Sequence, residues 1–213
     1  MPERRIPRWL KIGWTVFVLV WAPLYWRQWG PTTFLWFCDV ANLLILVGLW
    51  RESSLILSWQ AVSVLLFQIA FTLDVVGRAV AGRHLIGGTE WVFDDSKIPL
   101  YIKFLSVGMH VASPPLLLWS IRRLGYDRRA IWCQIATVCV LLPICWWGWD
   151  ATLNLNWVYK PFNKPQTMMA PALYLLVCIV GYVVLVFLPT HLVLRKLFSG
   201  PEARSTSDSP PKS

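Results

Sequence analysis

Long apolar runs alternate with short polar connections along this chain, and the alternation predicts its fold. A helix that crosses the hydrocarbon core of a bilayer needs about 20 mostly apolar residues. Six runs are close to that length, so we predict an all-α, polytopic membrane protein with about six transmembrane helices. The runs extend from about Trp9 to Trp29, Thr33 to Trp50, Ser54 to Gly77, Pro99 to Ile121, Ala130 to Trp149 and Pro171 to Leu194.

Turn-forming or charged residues separate the predicted helices. Gly30-Pro31 follows the first run, and Arg51-Glu52 follows the second. The first run has a basic start but no small-residue cleavage pattern at its end, so we expect a retained helix rather than a signal peptide. We predict one six-helix transmembrane domain over residues 1–198 and a disordered cytoplasmic tail over residues 199–213, which are rich in Ser and Pro.

The composition supports a membrane location. Of the 213 residues, 56% are hydrophobic and 15 are Trp, a residue favoured at the membrane–water boundary. The mean hydropathy is +0.52. A formal net charge of +9 is also found in nucleic-acid-binding proteins, but here the Lys and Arg residues lie between apolar runs, as in membrane proteins. We therefore expect membrane lipids as partners and no nucleic acid, and the oligomeric state stays open.

The distribution of basic residues predicts the orientation in the membrane. If the N-terminus is cytoplasmic, thirteen Lys and Arg residues fall in the inner segments and six in the outer segments. Because cytoplasmic loops carry an excess of Lys and Arg, we predict that both termini are cytoplasmic. Four arginines of the fourth connection are interpreted as contacts to anionic headgroups: Arg122, Arg123, Arg128 and Arg129.

Five cysteines lie inside apolar runs, and none belongs to a Cys-x-x-Cys pair. The simplest interpretation of each is a small buried side chain. We predict neither a disulfide framework nor a zinc site, and we expect no metal and no cofactor. The cysteines are Cys38, Cys133, Cys139, Cys145 and Cys178.

Polar side chains that are costly in a membrane fall mainly in the outer half of the predicted bundle. An Asp or Lys at mid-membrane costs about 2.5 to 3.5 kcal/mol even on insertion scales, so such groups indicate either a site or a structural lock. We predict that they converge in a polar cavity open to the outer leaflet. They are Cys38, Asp39, Asp74, Lys103, His110, Asn154 and Asn156, with Asn42 and Gln68 lying deeper.

Structural roles remain an open alternative for these groups. Ion pairs among Asp39, Asp74 and Lys103 would lock helices together. His110 alone on an apolar face is more often a hydrogen-bonded core residue, and Pro114-Pro115 after it predict a kink. Cap or turn roles suit Asp150, Asn154 and Asn156. We expect ordinary solvated side chains at Thr89, Glu90, Asp94 and Asp95, and we assign no function to His84 or His191.

Three segments together resemble a known family. The second predicted helix contains the sequence from Leu35 to Ala41 with its Cys-Asp pair, the fourth carries His110, and the fifth connection reads Asn-Leu-Asn-Trp-Val-Tyr followed by Lys164-Pro165. This pattern resembles the six-helix membrane proteins of the bacterial and animal transmembrane-protein-164 type, which look related to the androgen-induced hydrolases of branched fatty-acid esters. That family has a His where this chain has Trp36, and a Tyr where it has Trp157.

The resemblance implies a lipid acyltransferase or ester hydrolase with Cys38 as the nucleophile and His110 as its base. A thiolate would attack a lipid ester carbonyl, and an alcohol or water would resolve the thioester. Asp39 would orient a partner group, and Asn156 would donate to an oxyanion. Helix geometry places Cys38 roughly 7 Å and His110 roughly 16 Å below the outer ends of their helices, so they meet only if the helices are offset or tilted. The expected supporting cluster comprises Asp39, Asp74, Lys103, Asn154 and Asn156.

Two other functions are alternatives. A small transporter or channel would use a path lined by Asp39, Asp74, Lys103 and His110. Such paths need polar groups through the full depth of the membrane, and we expect the inner half to be sparse. A non-catalytic membrane scaffold would use the same groups only to lock helices. A separation below about 5 Å between the Cys38 sulfur and the His110 ring, facing a cavity, would favour the enzyme.

Overall fold

The computed structural model describes residues 5–161 and 164–198, and this part of the chain is helical without strands. The all-α prediction is therefore confirmed for these residues, whereas the predicted tail over residues 199–213 lies outside them. The helices are α1 (Arg8–Trp29), α2 (Phe37–Arg51), α3 (Ser54–Ala81), α4 (Glu90–Asp94), α5 (Leu100–Leu124), α6 (Ala130–Trp147) and α7 (Pro171–Phe198). Short 3₁₀ turns cover Pro31–Leu35, Ala151–Leu153 and Leu155–Trp157.

Five of these helices are long and apolar enough to cross a membrane: α1, α3, α5, α6 and α7. They support a multi-pass membrane protein. The second predicted helix differs, because α2 has only 15 residues and is about 22 Å long. A 3₁₀ turn precedes it, and Trp36 between the two is extended, with φ −67° and ψ 140°.

Helix α3 continues beyond the predicted end at Gly77 and stops at Ala81. Gly82 ends the helix in the left-handed region, with φ 69°, a conformation that glycine adopts without steric cost. Asp74 therefore lies two turns inside the end of α3 rather than at its edge.

Prolines lie inside α5 without ending it. Pro114 has no N–H to donate to the carbonyl of His110, four residues earlier. The hydroxyl of Thr72 on α3 lies 3.4 Å from that carbonyl while it donates to the carbonyl of Gln68 at 2.7 Å. A neighbouring helix thus supplies a polar partner to the freed backbone group, as membrane helices with internal proline require.

Helix α7 contains a π-helical segment, Tyr182–Phe187. The Tyr182 ring packs against Phe37 of α2 and Phe67 of α3, with ring centroids 5.5 and 5.4 Å apart. Most of α7 nevertheless faces outward, because only 17% of its most apolar window is buried, compared with 50% in α3 and α5. Helices α3 and α5 therefore form the centre of the bundle, and α7 lies at its periphery.

Buried polar side chains extend through both halves of the bundle. The hydroxyl of Ser58, in the second turn of α3, accepts a hydrogen bond from the Asp127 N–H at 3.0 Å, at the end of the bundle that is predicted to be the inner one. Small hydroxyl residues allow membrane helices to approach closely. The expectation of a sparse inner half is therefore wrong for uncharged side chains. These buried groups include Ser58, Gln60, Ser63, Ser113, Ser120 and Gln134.

Candidate functional site

The Cys38–Asp39 pair lies in the first turn of α2, where a carboxylate is favoured by the helix dipole. Asp39 is buried, with 2% of its surface exposed. One carboxylate oxygen accepts from the Thr33 hydroxyl at 3.0 Å, and the other lies 3.7 Å from the Cys38 sulfur, whose thiol donates to it. The 3₁₀ turn before α2 brings Thr33 to this position, so the local backbone break helps to build the site.

Buried polar atoms without partners come from the helices around this pair. The Tyr25 hydroxyl of α1 lies near Asp39 and Ser106, but it has no partner in hydrogen-bonding geometry in the described part of the chain. The same holds for the side-chain oxygen of Asn42 and for both amide atoms of Gln68. Each such atom costs about 1–3 kcal/mol when it is left unsatisfied. Buried polar atoms of this kind are what a site for a polar group of a ligand or for bound water would provide. We call Cys38, Asp39, Tyr25, Asn42 and Gln68 the outer polar cluster, after the predicted orientation of the chain.

His110 lies against α3 rather than against Cys38. Its Nδ1–H donates to the carbonyl of Ser106 at 2.8 Å, and its ring stacks on Phe71 with centroids 3.9 Å apart. Because Nδ1 carries the proton in this arrangement, Nε2 is the acceptor of the neutral ring. No hydrogen bond joins His110 to Cys38 among the described residues.

Cys38 and His110 lie at different heights along the axis of the bundle. The amide of Asn42 contacts the sulfur of Met109, the residue before His110. Asn42 lies four residues after Cys38 on α2, which is about 6 Å along the helix axis. His110 therefore lies about one helical turn deeper than Cys38, and a catalytic pairing of the two stays a prediction.

Asp74 belongs to a separate structure, the connection that follows α3. Its Oδ1 accepts from the backbone N–H groups of Ile86 and Gly87 at 2.6 and 3.1 Å. Its Oδ2 accepts from the Thr89 hydroxyl at 2.5 Å and lies 3.0 Å from His84 Nδ1. Thr89 is only 2% exposed, so the expectation that it is a solvated loop residue is wrong. The loop folds back onto a buried carboxylate, which sequence spacing does not reveal.

The alternative that Asp39, Asp74 and Lys103 pair with one another is wrong. In the described ranges neither Asp39 nor Lys103 takes part in an ion pair, and Lys103 is half-buried. An ion pair that the sequence did not predict lies at the opposite end of the bundle, where the buried Lys11 binds Glu52 at 2.5 Å. Asp94 is exposed, as expected for a solvated side chain, and it lies 3.7 Å from Arg78.

Asn156 fastens the connection between α6 and α7 to the start of α2. Its Oδ1 accepts from the Phe37 N–H at 3.1 Å, the first unpaired donor of α2. Its amide N–H groups donate to the Leu35 carbonyl at 2.8 Å and to the Cys145 sulfur at 3.4 Å. The Tyr182 hydroxyl donates to the Asn156 carbonyl at 3.0 Å. Both amide hydrogens are thus engaged, beside the predicted nucleophile but not directed at it.

Asn154 shapes the same connection from within. Its Oδ1 accepts from the N–H groups of Tyr159 and Lys160, both at 3.0 Å, and its amide donates to the Lys160 carbonyl at 2.8 Å. Three residues here have left-handed backbones, with φ 44° at Asn154, 49° at Asn156 and 56° at Trp157. Asn tolerates this conformation better than other side chains, which explains the residue type at two of the three positions.

The predicted cap role of Asp150 is confirmed. Its carboxylate accepts from the Thr152 N–H at 2.7 Å at the start of a 3₁₀ turn. That backbone hydrogen bond lowers the pKa of Asp150 below its ordinary value. Close by, the Tyr159 hydroxyl donates to the Trp146 carbonyl, and burial, followed by the Asp150 charge, raises the pKa of Tyr159.

A surface groove of about 430 Å³ lies on α7, away from the outer polar cluster, and its walls are apolar. It does not correspond to the predicted polar cavity. Among the described residues, no group of three or more His, Cys, Asp or Glu side chains is arranged to hold a metal ion. The groove is lined by Leu176, Val177, Val180, Gly181, Val184 and Leu185.

The sequence did not predict Tyr25 and Thr33 as neighbours of Asp39. A hydroxyl inside an apolar run carries no periodic signal, and Thr33 reaches Asp39 only because a 3₁₀ turn replaces the predicted helix. Gln68 did carry a signal, since an amide in a long apolar run is costly unless it has a partner. Comparison of the chain with protein families, curated proteins and solved structures found no match, so the resemblance to a family of membrane hydrolases stays a prediction.

Proposed function

We propose that the chain crosses the membrane six times with both termini on the cytoplasmic side. Helix α2 contributes about 22 Å and the preceding 3₁₀ turn about 10 Å, which together equal the thickness of the hydrocarbon core. Non-helical backbone is tolerated at membrane depth only where protein covers it, and Asn156 binds the backbone on both sides of Trp36. The excess of basic residues in the inner segments supports the orientation.

We further propose that the protein is a membrane-embedded lipid acyltransferase or ester hydrolase in which Cys38 is the nucleophile. The observation that carries this proposal is the outer polar cluster. A thiol lies beside a buried carboxylate, and α1, α2 and α3 each carry buried polar atoms that have no partner among the described residues. A lipid ester has carbonyl and ester oxygens that could accept from the Tyr25 hydroxyl and the Gln68 amide. Binding of substrate would then satisfy groups that the protein itself leaves unsatisfied.

The chemistry balances without a cofactor. The Cys38 thiol loses its proton to a neighbouring base, and the thiolate attacks the ester carbonyl. The tetrahedral intermediate collapses, the C–O bond breaks, and the alcohol leaves with the proton from the base. A water or acceptor alcohol then attacks the thioester, which releases the acid or the new ester and returns the proton to sulfur.

Two groups compete for the role of base. Asp39 is the nearer, with its oxygen already accepting from the thiol at 3.7 Å. His110 has a free Nε2 but lies about one turn deeper, so it would act through a water or after a shift of α5. In the proposed reaction Asp39 is the immediate proton acceptor, and His110 is the base for the second, water-dependent step.

A non-catalytic scaffold is the second candidate, and a specific observation favours it. Asp74 and Asn156 were both expected in the catalytic cluster, yet each satisfies backbone groups of another segment. In a scaffold the thiol–carboxylate pair would be one more lock between the 3₁₀ turn and α2.

Acyl-enzyme trapping distinguishes these candidates. Membranes that express the full chain are labelled with an alkyne-tagged fatty acid, and the modified peptide is identified by mass spectrometry, with and without hydroxylamine. We expect a hydroxylamine-sensitive acyl group on Cys38. Cys38→Ala should lose both the label and the change in membrane lipid profile. His110→Gln should keep the label but turn it over more slowly, because the resolving step lacks its base.

Cys139→Ala is the matched control, since Cys139 is exposed on α6 and free of the cluster. It should leave label and lipid profile unchanged. A lipid profile that is identical in wild type, Cys38→Ala and His110→Gln, at equal expression, would remove the enzyme proposal and leave the scaffold.

A further inference from the structure

A polar contact between two elements organises the inner end of the bundle. The Tyr126 hydroxyl, in the connection between α5 and α6, lies 2.6 Å from Nδ1 of His191 on α7, and the two rings are 5.6 Å apart at their centroids. His191 is buried. Burial, followed by the Asp127 charge, raises the pKa of Tyr126, so its hydroxyl stays neutral. This contact holds the connection against the end of α7.

Two arginines flank this contact. Arg195 lies one turn after His191 and thus on the same face of α7, and Arg128 lies two residues after Tyr126. Each arginine therefore belongs to one of the two elements that the Tyr126–His191 contact holds together. Both side chains are exposed. We call Tyr126, His191, Arg128 and Arg195 the inner basic site.

Among residues 5–161 and 164–198, no acidic side chain pairs with either of these two arginines. Asp127, the carboxylate next to Arg128 in the connection, binds Arg129 instead, at 2.8 and 3.1 Å. Within residues 5–161 and 164–198, neither Arg128 nor Arg195 takes part in a hydrogen bond or ion pair through its side chain. Two exposed guanidinium groups at one contact, with no acidic partner in the described part of the chain, favour binding of an anion.

We propose that Arg128 and Arg195 bind the phosphate of an anionic phospholipid in the leaflet at this end of the bundle. Guanidinium groups match phosphate oxygens in geometry and charge, and basic sites between membrane helices bind such headgroups. The ligand is a lipid rather than free phosphate because apolar side chains next to Arg195 are exposed, including Leu192 at 47% and Leu197 at 65%. The acyl chains would pack on them. The proposal is independent of acyl transfer. The proposed orientation is needed only to identify the leaflet as the cytoplasmic one.

Native mass spectrometry of the purified full chain tests this site. Dioleoyl phosphatidylglycerol and dioleoyl phosphatidylcholine are titrated into the protein in detergent, and bound lipids are counted. We expect wild type to prefer the anionic lipid. The double variant Arg128→Gln/Arg195→Gln should bind it roughly 30-fold more weakly, from about 1 kcal/mol for each arginine.

The matched control is Arg51→Gln/Lys196→Gln, which removes the same charge from the end of α2 and from the residue next to Arg195. It should lose no more than a few-fold. Equal losses in the two double variants would show only general attraction to charge and would overturn the site. Equal binding of both lipids by wild type would also overturn it. If inorganic phosphate displaced the lipid at equal concentration, the commitment to a lipid ligand would be wrong.

Discussion

Asp39 and Asp74 are two buried carboxylates near the same end of the bundle, and they differ in what surrounds them. Asp74 receives two backbone N–H groups, a hydroxyl and a histidine nitrogen. Asp39 receives one hydroxyl and one thiol, and its neighbours include polar atoms without partners. A carboxylate that binds fixed backbone donors holds a loop in place. A carboxylate whose partners are rotatable side chains remains available to a substrate.

The largest expected effect separates these two roles directly. Asp74→Ala would strand the backbone donors of Ile86 and Gly87, which cannot rotate to other partners, and should lower the free energy of unfolding by about 3 kcal/mol. Asp39→Ala should cost only about 1 kcal/mol, since Thr33 and Cys38 can reorient. Both losses are measured as decreases in the apparent unfolding temperature of the purified protein in detergent. Equal losses would contradict the distinction between the two carboxylates.

A second pair of variants examines the support of α2 beside Asp39. Asn156→Ala removes the acceptor for the Phe37 N–H and the donor to the Leu35 carbonyl, and should cost about 2 kcal/mol. Alkylation of Cys38 by a small maleimide should become faster, because the start of α2 is released. Asn154→Ala is the control: it disturbs the same connection, but it should leave the alkylation rate of Cys38 unchanged. Faster alkylation in both variants would show that Asn156 has no special connection to α2.

The smallest expected effect has the opposite sign. The Gln68 amide is buried and has no partner among the described residues. Gln68→Met puts an apolar side chain of similar shape in its place and should stabilise the protein by about 1 kcal/mol. Gln134→Met is the control, because Gln134 accepts from the Trp59 indole at 2.8 Å and its loss should destabilise by about 1 kcal/mol. If Gln68→Met is also destabilising, the amide binds an occupant of the outer polar cluster.

Most helix positions could be predicted from the sequence because the requirement for apolar length is local. The first predicted helix began within one residue of α1, and α6 began where predicted, at Ala130. The start of α2 could not be predicted in this way. Trp36 is extended there. The first free N–H of the helix, that of Phe37, donates to the side chain of Asn156, 119 residues later in the chain.

The candidate site was predictable only in part. The Cys38–Asp39 contact follows from adjacency on one helical turn, and polar residues in apolar runs indicated Asn42 and Gln68 as unusual. The assignment of Asp74 to the same cluster followed from membrane depth alone. Depth does not distinguish sides of a bundle, and the partners of Asp74 come from the loop after α3.

The amino-acid sequence by itself determined that this protein is helical, apolar and suited to a bilayer, because the free energy of burying or exposing each run depends on its own residues. Tertiary structure alone decided which polar side chains meet. Hydrogen bonds inside a membrane protein are set by helix rotation, tilt and loop packing, which place Thr33 beside Asp39 and Thr89 beside Asp74. These contacts depend on groups brought together in space rather than on neighbours along the chain, so no pattern of apolar and polar positions encodes them.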